Sequence, residues 1–212
     1  MQRTRIKICG ITREEDLLTA VEQGVDAVGF VFYEPSPRYV APQRAAQLVA
    51  HLPPFVTSVG LFVNASEASI ASTLSAVHVD LLQFHGEETA DDCRRHGRPY
   101  IKAARVRPGL HLVEYASQFP DAQGLLLDAF VEGYGGAGKS FDWSLIPPVL
   151  PLPVILSGGL DAQNVVQAIE RVRPWAVDVS SGVEASRGIK DAAKIASFVA
   201  GVRDADSRRS PV

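Results

Sequence analysis

The chain has 212 residues, with 46% hydrophobic against 21% charged, the balance of a globular protein with one large domain. A formal net charge of −3 argues against nucleic acid as the main partner, since binding a phosphate backbone needs a basic face. Two cysteines, Cys9 and Cys93, are too few for a disulfide framework and lack metal-ligand spacing. The basic start is followed by no apolar signal core, and no run approaches the roughly 18 apolar residues of a membrane span. No membrane association is therefore expected, and the expected setting is a reducing one, the cytoplasm.

Short β-rich apolar runs recur along the chain at residues 6–9, 27–32, 57–63, 81–85, 100–104, 124–128, 154–157 and 176–180. Near-continuous apolar runs such as Gly124-Leu125-Leu126-Leu127 suit parallel strands buried on both faces. Helical segments fall between them. Thr12 and Glu15 predict a capping box for a helix over 13–23, with Gly24 at its C′ position. Pro42 fits the first turn of a helix over 42–52, and Ser66 caps one over 67–76. A short helix is expected over 89–96, weaker ones over 110–119 and 144–149 (the last interrupted by Pro147 and Pro148), one capped by Asp161 over 162–172, and an amphipathic one over 191–202.

Strands alternating with helices predict βαβ units, and eight of them predict a closed (β/α)₈ barrel in one domain, residues 1–203, with an open doubly wound sheet as the competing architecture. The polar stretch 204–212 reads as a disordered tail.

In such a barrel the active site lies at the C-terminal ends of the strands. Those ends carry Lys7 and Cys9, Phe32, Phe62, Gln83 and His85, Lys102, Asp128, Ser157, and Asp178 and Ser180. Lys7 and Cys9, two apart on a strand, share a face, and an ammonium beside a thiol favours the thiolate, a usable base. A small buried hydrophobe is the alternative for Cys9, and the preferred reading for Cys93. Asp128 ends the most apolar strand, where a carboxylate is expensive unless paired or functional. Asp178 faces the same side as Ser180 and can orient a neighbour. The loops at Ser157-Gly158-Gly159 and Ser180-Ser181-Gly182 stand after strands seven and eight, where barrels often bind phosphate through backbone N–H groups; tight βα turns are the alternative. Arg38, in the rigid Pro35-Ser36-Pro37-Arg38 loop, is placed to grip a carboxylate with two hydrogen bonds, or else is a solvated arginine.

Residues 133–140 match G-x-x-x-x-G-K-[ST] in full, through Gly133, Gly138, Lys139 and Ser140. The context is wrong for a nucleotide-binding loop: the strand ends at Asp128, and a Pro-broken segment follows instead of a substantial helix. A lid closing over Asp128 is the better reading.

These residues together resemble the phosphoribosylanthranilate isomerase family of tryptophan biosynthesis, over about residues 5–200. The resemblance rests on Lys7-Ile8-Cys9-Gly10-Ile11-Thr12, Ser36-Pro37-Arg38-Tyr39-Val40, Gln83-Phe84-His85-Gly86, Leu126-Leu127-Asp128, the run from Gly135 to Trp143, Ser157-Gly158-Gly159-Leu160, and the run from Asp178 to Glu184. Ala137 and Phe84 depart from the family pattern of Thr and Leu. The resemblance implies a (β/α)₈ barrel that converts N-(5-phosphoribosyl)anthranilate to its 1-deoxyribulose isomer by an Amadori rearrangement. By that resemblance Asp128 is the general acid and Cys9 the general base, so the site must hold one protonated acid and one deprotonated base, with Cys9 lowered. Arg38 binds the anthranilate carboxylate, and Gly158, Gly159, Ser180, Ser181 and Gly182 hold the phosphate. Lys7, Gln83, His85 and Asp178 complete the substrate site. No metal or organic cofactor is expected, and the partner is a small phosphorylated substrate, bound by a monomer or homodimer. Another sugar-phosphate isomerase or epimerase is the alternative, but the histidine-pathway relative places a carboxylate where Cys9 stands, and His85 alone does not make a metal site.

Overall fold

The computed structural model describes residues 3–129 and 141–208. Eight parallel strands close into a barrel in sequence order: β1 (Arg5–Cys9), β2 (Ala27–Val31), β3 (Thr57–Phe62), β4 (Leu81–Phe84), β5 (Tyr100–Val106), β6 (Gly124–Ala129), β7 (Val154–Leu156) and β8 (Ala176–Val179). All eight predicted strands are present, and the competing open sheet is excluded because β1 pairs with both β2 and β8.

Around the barrel lie α1 (Glu14–Glu22), α2 (Pro42–Val49), α3 (Glu67–Ala76), α4 (Ala90–Arg94), α5 (Leu112–Ser117), α6 (Val165–Val172) and α7 (Ala192–Ser207). Ser66 caps α3 by accepting from Ser69 N, and Thr89 and Asp92 form a reciprocal capping box on α4. The capping box expected at Thr12 is not formed. Arg13 is the N-cap and makes no side-chain cap bond, while Thr12 Oγ1 donates to Gly188 O at 2.7 Å, so a tertiary partner has taken the hydroxyl. Asp161 organises a turn by accepting from Gln163 N and Asn164 N, and α6 starts only at Val165. Between β6 and β7 the described residues hold a single 3₁₀ turn, Trp143–Leu145, because Pro147 and Pro148 prevent a longer helix.

The stretch read as a disordered tail from residue 204 needs correction: α7 continues to Ser207. Val202 and Ala205 are buried there, and Asp206 accepts from both Thr4 N and Thr4 Oγ1 at 2.7 Å, which ties the chain's two ends together. Residues 209–212 lie outside the described residues, as does the predicted lid at 133–140.

Side-chain parity divides every strand. One set faces the helices in the main core. The other fills the barrel, where Ile101, Ala103, Leu126, Ile155 and Ala176 form an apolar floor. Lys7, Gln83 and Asp178 are two residues further along their strands than the floor positions, so they form the next layer, and Cys9, His85 and Asp128 stand at the rim. Phe32, Phe62 and Lys102 have the opposite parity. Phe32 and Phe62 pack on each other in the outer core with tilted rings, at 5.3 Å between ring centroids. Phe84, one of the departures from the family pattern, packs in the same outer core against Phe62 and Tyr100.

Candidate active site

The C-terminal mouth of the barrel holds a pocket with about 720 Å³ of free space, open to solvent. Cys9, Arg38, Gln83, His85, Asp128, Ser157, Gly158, Gly159, Asp178, Ser180 and Ser181 all line it. Ten strand-end or loop candidates read from widely separated segments, together with Ser157, therefore meet in one place.

Cys9 ends β1 and is buried with Val31, Leu61 and Val63, with Tyr33 packed against them. Its neighbour in register is Gly29, and a Cβ there would stand 2.8 Å from Cys9 Sγ and 3.2 Å from Lys7 Nζ, so glycine makes the room for both. Lys7 does not line the pocket; its Nζ lies 2.9 Å from Asp178 Oδ1, with both side chains about 6% exposed. The two residues are register partners across the β1–β8 seam that closes the barrel. Ser157 Oγ donates to Asp178 Oδ2 at 3.3 Å. Asp178 was expected to orient a neighbour, and the side chain it pairs with is the Lys7 ammonium.

Burial pushes the Cys9 thiol up from its ordinary value, and the ammoniums of Lys7 and Lys190 pull it only part of the way back. The expectation that the site lowers Cys9 is corrected by this: Lys7 does favour the thiolate, but desolvation of a thiol at the base of an apolar wall is larger. Cys93 is pushed up to about 12 by burial, in keeping with its reading as a packed hydrophobe.

On the opposite side, Gln83 Nε2 lies 3.0 Å from His85 Nδ1, and His85 Nε2 lies 3.1 Å from Asp128 Oδ2. Asp128 Oδ1 accepts from Ala129 N at 2.8 Å. Gly158 (φ +80°) packs directly beside this carboxylate, since a Cβ there would stand 3.0 Å from Asp128 Oδ1 and 2.6 Å from Ala129 N.

Arg38 is buried rather than solvated. Its Nε and Nη2 donate to Glu184 Oε1 and Oε2 at 2.7 and 2.9 Å. One edge of the guanidinium is occupied, and its other N–H groups remain for the pocket that Arg38 lines. Gly182 does not line the pocket among the described residues; a Cβ there would meet Leu160 O at 1.9 Å, so this glycine brings the loops after β7 and β8 into contact.

A model of the family described as N-(5′-phosphoribosyl)anthranilate (PRA) isomerase matches residues 6–201, nearly the whole chain. The chain belongs to the PRA isomerase family. It is 65% identical over 204 residues to the N-(5′-phosphoribosyl)anthranilate isomerase of Dechloromonas aromatica, covering 96% of this chain and 98% of that one. The crystal structure of phosphoribosyl anthranilate isomerase from Thermotoga maritima superposes with a TM-score of 0.87 at 45% identity, over 95% of this chain and 99% of that one. A crystal structure of the isomerase in complex with reduced 1-(o-carboxyphenylamino)-1-deoxyribulose 5-phosphate gives 0.84 at 42% identity, with 95% and 99% covered.

Sequence reading missed two buried residues of this PRA isomerase fold, Glu184 and Lys190. Glu184 opens β9 (Glu184–Ser186) and Lys190 ends β10 (Ile189–Lys190), a small antiparallel hairpin after β8. Lys190 Nζ donates to Cys9 O (2.7 Å), Glu184 Oε1 (3.0 Å) and Ser180 O (3.1 Å). Glu184 ends a run that carries the family resemblance, but its pairing had no signal beyond opposite charges flanking a Gly188 turn, which looks like any exposed hairpin. Lys102, counted among the strand ends, faces away from the pocket and pairs with Glu88 at 3.0 Å. Among the described residues no cluster of side chains suits a metal ion.

Proposed function

We propose that this protein isomerises N-(5′-phosphoribosyl)anthranilate to 1-(2-carboxyphenylamino)-1-deoxyribulose 5-phosphate, a step of tryptophan biosynthesis, with Asp128 as general acid and Cys9 as general base. The observation that carries this reading is that Cys9 and Asp128 line one pocket whose walls also hold a guanidinium, Arg38, and two glycine-serine loops. Family membership supports the substrate, and the shared pocket supports Cys9 and Asp128 acting on one bound molecule.

In this reading the phosphate sits at Gly158, Gly159, Ser180 and Ser181, where positive-φ glycines expose backbone N–H groups. The anthranilate ring lies against the apolar wall of Val31, Leu61 and Val63, with its carboxylate on Arg38. Binding energy from these two ends holds the ribose between acid and base. Asp128 gives its proton to the furanose ring oxygen as the C1–O bond breaks, leaving an iminium. Cys9, acting as the thiolate, a form that Lys7 favours against the larger cost of burial, removes the proton from C2 to form the enolamine, which tautomerises to the ketone.

The test is to follow loss of the substrate's anthranilate fluorescence with purified protein. Turnover is expected; its absence with intact, folded protein overturns the reading.

A further inference from the structure

The cations beside the pocket are not evenly matched. Glu184 is the shared partner of two of them: Arg38 holds it with two hydrogen bonds, and Lys190 Nζ lies 3.0 Å from its Oε1. All three residues are buried. One carboxylate is thus shared by two cationic side chains, and Arg38 keeps an unoccupied guanidinium edge on the pocket it lines, an arrangement that a bound carboxylate would complete.

The hairpin that supplies Glu184 and Lys190 is pinned to the same elements. Glu184 and Lys190 are register partners in it. Its tip at Gly188 (φ +81°) touches the loop before Arg38, for a Cβ there would stand 2.7 Å from Pro37 O. Gly188 O receives Thr12 Oγ1, and Lys190 N donates to Asp16 Oδ2 at 3.0 Å. Arg38 in turn lies across Gly10, where a Cβ would meet its Cδ at 2.7 Å. Burial pushes the Glu184 carboxyl up, but Arg38 and Lys190 outweigh it and hold it below its ordinary value, so it stays charged.

We propose that Glu184 and Lys190 are positioning residues for substrate recognition: Glu184 aims the Arg38 guanidinium at the substrate carboxylate, and Lys190 ties that guanidinium to the phosphate loop at Ser180 and to the backbone of Cys9. The hairpin then sets the distance between the two anionic ends of the substrate. This rests on the function proposed above.

The experiment compares wild type with Glu184→Gln in the full chain, measuring KM and kcat for the substrate and competitive inhibition by anthranilate and by inorganic phosphate as separate probes of the two ends. Glu184→Gln should raise KM about 10-fold or more, the scale of a lost charged hydrogen bond, with a smaller change in kcat. It should weaken anthranilate inhibition and leave phosphate inhibition within about twofold. Lys190→Met should weaken both probes, because it also releases Ser180. Unchanged KM in Glu184→Gln, or equal weakening of both probes there, overturns the inference, the latter because it marks a merely structural loss. Should Glu184→Gln not fold, Glu184→Asp keeps the charge and shortens the reach, and the same selective loss is required of it. A wild type that turns over no substrate defeats the proposed function instead.

Discussion

His85 Nε2 stands 3.1 Å from Asp128 Oδ2, and Gln83 completes the chain behind it. The direction of these bonds is linked to the protonation of Asp128. With the Gln83 amide N–H on Nδ1, the neutral ring carries its hydrogen on Nε2 and Asp128 accepts. In that arrangement Gln83 Oε1 has no partner among the described residues. Turning the amide over lets Oε1 accept from Nδ1–H, and Nε2 then accepts from a protonated Asp128, the form an acid needs. Asp128→Asn should therefore lower kcat by at least about 10²-fold, and His85→Ala should lower kcat more than it changes KM. Steady-state kinetics decide it; an unchanged kcat in Asp128→Asn removes that residue from the mechanism.

Cys9→Ala should abolish turnover while a phosphate-bearing product analogue still binds, measured by titration calorimetry. Near-normal turnover excludes Cys9 as the base.

The thiol also makes a prediction in pH. Its value is raised above the ordinary 9.0, so deprotonation of Cys9 comes late. Inactivation by iodoacetamide, which attacks the thiolate, should keep accelerating as pH passes 9.0 rather than level off below it. Lys7→Met removes a charge that favours the thiolate and should move that profile to still higher pH. A profile that is unmoved, or moved down, would contradict the role given to Lys7.

Arg38→Ala should mainly raise KM, because in the proposed reading the guanidinium holds a carboxylate that does not react. If KM is unchanged and kcat alone falls, Arg38 acts on the reacting atoms instead.

Lys102 and Glu88 form a buried pair outside the pocket. Lys102 Nζ donates to Gly86 O at 2.6 Å and lies 3.0 Å from Glu88 Oε2, while Glu88 accepts from Asn64 N and Gly86 N. Lys102→Ala leaves a carboxylate buried without its cation, and about 3–5 kcal/mol of stability should be lost in urea denaturation. A loss under about 1 kcal/mol would mean that water reaches Glu88.

Much of the site was legible because strand position carries meaning in a barrel. Cys9, His85 and Asp128 stand where apolar runs end, and the two glycine-serine loops follow the last two strands. Lys102 also stands on a strand, and nothing within its own run of residues says that it points outward. That follows only from its pairing with Phe84 across β4 and β5, which gives both residues the same outward parity. Arg38 illustrates the same limit: its loop was recognisable, but its partner Glu184 is 146 residues away.

The sequence alone determined what is local: eight apolar runs, the helices between them, and the residue types that can exchange protons or bind anions. Those depend on burial and backbone preference, which act over a few neighbouring residues. The tertiary structure decided which charge meets which. Lys7 with Asp178, Arg38 and Lys190 with Glu184, and His85 with Asp128 are set by closure of the barrel, strand register and the return of the last hairpin. Closure also raised the Cys9 thiol, because the cost of desolvating a thiol depends on all the walls around it, and these come from three separate segments of the chain, that of Cys9 itself, that of Gly29 and Val31, and that of Leu61 and Val63.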